Sequence, residues 1–135
     1  MMRYILFLSL FLLFTSCYQV ERNCIDFKTG TFKSTITIDE IDYISYFTRT
    51  NNLQIETFEN KTDSSNVRWI NDCEVVFKTI NPKNMAERKD IHLKILTTTD
   101  SSYTFEYSYV GEAIKQKGIA YKKSSVPIAI GSSDQ

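Results

Sequence analysis

The sequence predicts an all-β fold, an antiparallel meander of about seven strands. Three observations predict it. From Cys17 onward the chain holds 14 Ile, 6 Val and 13 Thr against 3 Leu and 4 Ala. Branched side chains are stiff at χ1 and fit a pleated surface, whereas Leu and Ala favour helices. Apolar and polar residues alternate with period two along most of the chain. Polar turn-forming clusters separate these runs at short intervals.

The elements follow in order. In Thr31–Ile38, Phe32, Ile36 and Ile38 share one face, and Lys33, Thr35 and Thr37 the other. Asp39-Glu40 begins a turn. In Tyr43–Thr50, Tyr43 and Phe47 face one way, Ile44 and Tyr46 the other. Asn51-Asn52 marks a tight hairpin, because Asn tolerates positive φ. Leu53–Phe58 is the returning strand, and Asn60–Asn66 is polar and turn-like. Val67–Ile80 reads as the longest strand, with Val67, Trp69, Cys73, Val75 and Phe77 on one face and Arg68, Asp72, Glu74 and Lys78 on the other. Asn81–Asn84 breaks the pattern, and Met85–Lys89 fits one helical turn. Strands resume at Asp90–Thr97 and Ser102–Val110, and a short one closes at Gly118–Lys122. A meander of this kind must cover its apolar face, so it is expected to curl into a lipocalin-like half or full barrel.

The first residues are of another kind. Arg3 precedes an apolar run, Tyr4–Phe14, interrupted only by Ser9. A membrane span needs about 20 such residues, so this run reads as the apolar region of a secretory signal peptide. Phe14-Thr15-Ser16-Cys17 then places two small residues and a cysteine directly after it. That step resembles the lipobox of bacterial lipoproteins. The resemblance implies lipid transfer to the Cys17 thiol, cleavage before it, and acylation, with palmitate among the acyl groups. Several acyl chains on one residue give stable membrane anchoring. Tyr18 rather than Asp follows the cysteine, which by the sorting logic of such lipoproteins permits passage to the outer membrane. Tyr18–Arg22 is not an acidic run that would signal surface export, so an outer-membrane position facing the periplasm is expected. The expected organisation is a signal peptide at 1–16, a lipidated segment and tether at 17–30, a β domain at 31–123, and a flexible tail at 124–135.

From Cys17 the chain has 119 residues, enough for one domain with a real core. Over the full chain 16 basic side chains balance 16 acidic ones, so no net field attracts nucleic acid. Of the three cysteines, lipidation would use Cys17 and leave Cys24 and Cys73. An exported, oxidising compartment favours a disulfide between these two. By the chain-entropy estimate such a cross-link stabilises by about 4 kcal/mol. The rival reading is a metal pair, but two cysteines without a CxxC motif and with one histidine in the chain make a poor zinc site.

Several stretches carry a wider resemblance: Glu21–Cys24, Asp26–Phe32, Phe47–Thr50, Val67–Glu74, Asn81–Met85 and Thr104–Tyr107. Together they resemble a family of small uncharacterised lipoproteins of flavobacteria-like Bacteroidota, over positions 1–123. Some members bear the label DNA topoisomerase IV. That activity needs an ATPase or strand-cleaving domain longer than this chain, and a cytoplasmic location. The resemblance therefore implies compartment and extent, not an activity.

The remaining constellations carry little chemistry. His92 stands beside Asp90 and Lys94 on a polar strand face and reads as a surface residue. No Gly-x-Ser-x-Gly elbow accompanies it, so a catalytic triad is not expected. Asp39, Glu40 and Asp42 read as a solvated turn, since no calcium loop surrounds them. Lys115, Lys117, Lys122 and Lys123 flank Tyr121 and read as a charged edge. The row Tyr103, Phe105, Tyr107 and Tyr109 is the most suggestive feature: core packing, the wall of an apolar cup, or a partner surface.

The expectation is a lipid-anchored envelope protein with a structural or protein-interaction role, no catalytic residues, no metal and no cofactor. The alternative is a binding module, either a cup for a small apolar ligand or a barrel that docks an envelope protein. A filled interior would favour the first reading and an open apolar cavity the second.

Overall fold

The computed structural model describes residues 21–124. The segment expected as a signal peptide, Cys17 and nearly all of the 124–135 tail lie outside the described residues. Eight antiparallel strands form a closed barrel: β1 (Gly30–Ile38), β2 (Ile41–Arg49), β3 (Leu53–Phe58), β4 (Lys61–Asn71), β5 (Glu74–Thr79), β6 (Ile91–Thr98), β7 (Ser102–Tyr109) and β8 (Gln116–Lys122). Each strand pairs with its sequence neighbour. β1 pairs with β8 from Phe32↔Lys122 to Ile36↔Gly118, which leaves no free edge.

The period-two faces are those the alternation predicts. Phe32, Phe47, Val75, Leu93, Ile95, Tyr103, Phe105 and Ala120 point inward and are buried. The strand count is a correction, eight rather than seven. Lys61–Asn66, expected as a turn, is the first half of β4, and the run expected as one strand folds back on itself between Asn71 and Glu74. The Asn71 side-chain oxygen accepts the Cys73 backbone N–H at 2.9 Å, the local alternative to a continuing ladder. The polar run of β4 pairs with β3 along its whole length and with β5 from Ser65 onward, so ladder pairing rather than side-chain polarity decides its conformation.

The tight hairpins are Ile38–Ile41 and Phe58–Lys61, where Asp39, Glu40, Glu59 and Asn60 all take positive φ. Asn51-Asn52 turns differently. There Thr50 N–H donates to the Leu53 carbonyl at 2.8 Å and the Thr50 hydroxyl accepts the Leu53 N–H at 3.2 Å. Met85–Lys89, expected as one helical turn, is not a helix but a hydrogen-bonded turn, with Lys89 N–H donating to the Ala86 carbonyl at 3.2 Å. Strand direction assigns the barrel two unlike ends. The turns after β2, β4 and β6 share one end. The hairpins after β1 and β3 and the longer loops after β5 and β7 share the other.

The N-terminal segment crosses the first of these ends. Cys24 and Phe27 are buried, and Ile25–Phe27 forms one 3-10 turn. A disulfide joins Cys24 to Cys73, in the turn between β4 and β5. Asn23 N–H donates to the Thr98 hydroxyl at 2.9 Å, Lys28 pairs with Asp72 at 3.0 Å, and Lys122 Nζ donates to the Asp26 carbonyl. The later part of the expected tether is thus a plug that completes the core.

Candidate functional site

The interior is not filled. A cavity of about 230 Å³ lies between the plugged end and the opposite mouth. This is just below the range of about 300–1,000 Å³ typical of small-molecule pockets. Its apolar wall comes from Ile36, Phe47, Phe77, Leu93 and Phe105, residues that the strand alternation points inward. Ser34, Arg49, Gln54, Glu56, Ser65, Tyr103 and Tyr107 add polar groups to the same lining.

Arg49 organises the floor. It ends β2 two residues after the inward Phe47, so the pleat carries it inside, where it is 2% exposed. Its Nε donates to Gln54 Oε1 at 2.7 Å, its neighbour across the β2–β3 ladder. One Nη donates to the Phe27 carbonyl of the plug at 3.3 Å, and the other to the Tyr103 hydroxyl at 3.2 Å. Four rings surround the guanidinium: Phe47, Phe77, Phe32 and Trp69, with centroids 4.9, 5.2, 5.6 and 5.7 Å from Cζ. Cation–π attraction offsets part of the cost of burying this charge. Among the described residues no carboxylate forms an ion pair with it.

Glu56 stands one register step toward the mouth on β3, opposite Phe47, and its carboxylate accepts the Ser45 hydroxyl at 2.6 Å. Burial pushes the Tyr103 phenol up from its ordinary value, and the nearby Arg49 only partly opposes this. Burial likewise raises Tyr107, with Tyr109 and Glu56 adding to the effect. Both hydroxyls therefore keep their protons at neutral pH.

Three of the four aromatics singled out in the sequence meet at the cavity: Tyr103 and Phe105 are buried and Tyr107 is half-buried. Tyr109 is 37% exposed and does not line it; Lys89 Nζ lies 5.4 Å over its ring. Arg49, Gln54 and Glu56 were missed. The signal was the period-two alternation itself: Arg49 lies two residues after Phe47 on β2, and Gln54 and Glu56 alternate with Ile55 on β3, so polar and charged residues occupy the inward register of both strands. His92 lies on the outer wall, where its Nε2 is 3.0 Å from Glu74 Oε2. No group of three His, Cys, Asp or Glu suited to a metal occurs among the described residues. Lys115 pairs with Glu106, and Lys123 lies over Tyr46, so the basic residues are dispersed. Among the described residues no helix is long and apolar enough to cross a membrane.

Comparison with protein-family models, with characterised proteins and with solved structures finds no match.

Proposed function

We propose that this protein is a ligand-binding barrel of the cell envelope, carrying a small amphipathic molecule in its cavity and anchored to the outer membrane by lipid on Cys17, facing the periplasm. The cavity carries the reading: a barrel whose role was purely structural would gain stability by filling this space, since lining atoms beside a void lose dispersion contacts. The anchor rests on the Phe14-Thr15-Ser16-Cys17 step after the apolar run. No catalytic chemistry belongs to this proposal.

A neutral apolar fluorophore, N-phenyl-1-naphthylamine, tests the cup. Its emission should rise to saturation with the wild-type protein, and the rise should be lost in Ser65→Phe, which fills the cavity from β4. Equal enhancement by the filled variant would refute the cup. The anchor is tested by metabolic labelling with a palmitate analogue, which Cys17→Ser should abolish.

A docking role is a second reading, supported by the mouth-end loops. Ile80, Met85, Val110 and Ile114 are exposed there, Met85 and Ile114 by more than 70%. Such a rim could seat an apolar partner surface.

A further inference from the structure

Arg49 has more donors than the fold uses. A guanidinium carries five N–H groups. Three are spent, on Gln54, the Phe27 carbonyl and Tyr103. The surrounding rings meet the cation through their π-faces and accept none of the remaining N–H groups in ordinary hydrogen bonds. Each terminal nitrogen thus keeps one N–H, in a side chain that is 2% exposed and lines the cavity floor. The Tyr103 hydroxyl accepts from Arg49, donates to no partner among the described residues, and lines the same floor. Two N–H groups and one O–H without a partner among the described residues therefore belong to side chains that line the deep end of the chamber, and no protein anion is paired to them. Unmet buried donors are costly, and those of a charged group more so.

We infer that the cavity selects a monocarboxylate with an apolar tail, its head on Arg49 and Tyr103 and its tail along Phe47, Phe77, Leu93 and Phe105 toward the mouth. The inference rests on the cup reading and names its ligand class. Planar carboxylate oxygens match the guanidinium fork, and a charge-assisted bond in a dry site is roughly twice as strong as a neutral one. Glu56 sets the other limit. It sits one layer above Arg49, about 7 Å along the strand, so a head group with a second negative charge is repelled while a neutral chain passes. Dicarboxylates and doubly charged phosphates are disfavoured accordingly.

Calorimetric titration of the intact protein with octanoate and with octanol tests this. Octanoate should bind at least about tenfold more tightly than octanol, the fold-change expected of one charge-assisted bond. Arg49→Gln should bring the ratio close to one. Because Arg49 also supports the core, Glu56→Gln provides a variant that leaves the floor intact: it should raise the preference for octanoate over octanol by about threefold or more. Equal binding of the two probes by the wild type overturns the inference while the cup stands, as does a Glu56→Gln variant indifferent to the charge. If neither probe binds while N-phenyl-1-naphthylamine still does, the inference falls and the cup stands; if none of the three binds, both fall.

Discussion

Across the barrel, from β2 to β7, Arg49 Nη2 donates to the hydroxyl of Tyr103 at 3.2 Å, so the buried cation and a phenol from the most aromatic strand hold each other in place. Tyr103 is 1% exposed and its ring packs on Phe27, Phe32 and Phe105. Tyr103→Phe keeps the ring and removes only the acceptor. It should cost about 1–3 kcal/mol, the penalty for leaving a buried charged donor unmet. Urea unfolding would read this as a lower midpoint at unchanged slope.

The Cys24–Cys73 disulfide closes a long loop and pins the plug to the β4–β5 turn. Replacing both cysteines with serine should lower stability by about 4 kcal/mol, and more if the plug detaches and uncovers Phe27. Non-reducing peptide mapping should recover the two cysteines in one cross-linked fragment.

Trp69 and Arg68 are neighbours on opposite faces of β4. Trp69 packs half-buried against the core between Lys28 and Arg49, 5.2 and 5.7 Å from its ring, whereas Arg68 is exposed. Trp69→Ala should cost about 3 kcal/mol, and Arg68→Ala less than about 0.5. Thermal melts of the two variants give the comparison directly. A red-shifted emission from this single tryptophan, together with a thermally silent Trp69→Ala, would remove it from the core.

Gly118 is where β8 passes closest to its neighbours. A Cβ there would lie 2.6 Å from the Phe105 ring and 2.8 Å from the Thr35 carbonyl oxygen. Phe105 could turn into the cavity, but the carbonyl belongs to the β1–β8 ladder. Gly118→Ala should therefore destabilise by about 1–3 kcal/mol, and it should also weaken ligand binding by moving Phe105.

On the outer wall, the His92 hydrogen bond holds the Glu74 carboxyl below its ordinary value of 4.5. A depressed folded-state value means the contribution is complete above pH 4.5 and disappears as pH falls through the folded value. The stability difference between wild type and Glu74→Gln should be at most about 1 kcal/mol for such a part-exposed pair. It should be constant from neutral pH down to about 5 and shrink below that. A series of urea melts across this range provides the measurement.

The fold was legible because one signal, period-two alternation in a chain rich in Ile, Val and Thr, is dictated by strand geometry itself. It failed where the geometry was locally interrupted. Val67–Ile80 keeps its alternation through the Asn71–Glu74 turn because the bulge between Trp69 and Asn71 shifts the register, so the hairpin left no break in the pattern. Lys61–Asn66 looked like a turn because its side chains are polar, yet all of it pairs with β3, and Ser65 and Asn66 pair with β5 as well. The cavity was half legible. Tyr103, Phe105 and Tyr107 announced it by their hydrophobic bulk. Arg49 did not, since a charged residue at a strand end ordinarily reads as solvated, and only the closure of the barrel shows that its face is the inside.

The cross-link at the plug also decides how the domain bears load. Tension drawn through the residues preceding Arg22 reaches Cys24 before it reaches Gly30, the first residue of β1. The covalent bond passes that tension to Cys73, between β4 and β5 on the barrel wall, rather than to the β1–β8 seam. With the sulfurs joined, a pull works on the barrel as a body; with them reduced, the same pull peels the plug from the floor and then strips β1 from the seam strand by strand. The thiol–disulfide state thus sets the domain's mechanical strength, and single-molecule pulling with and without reductant would register it as a change in rupture force.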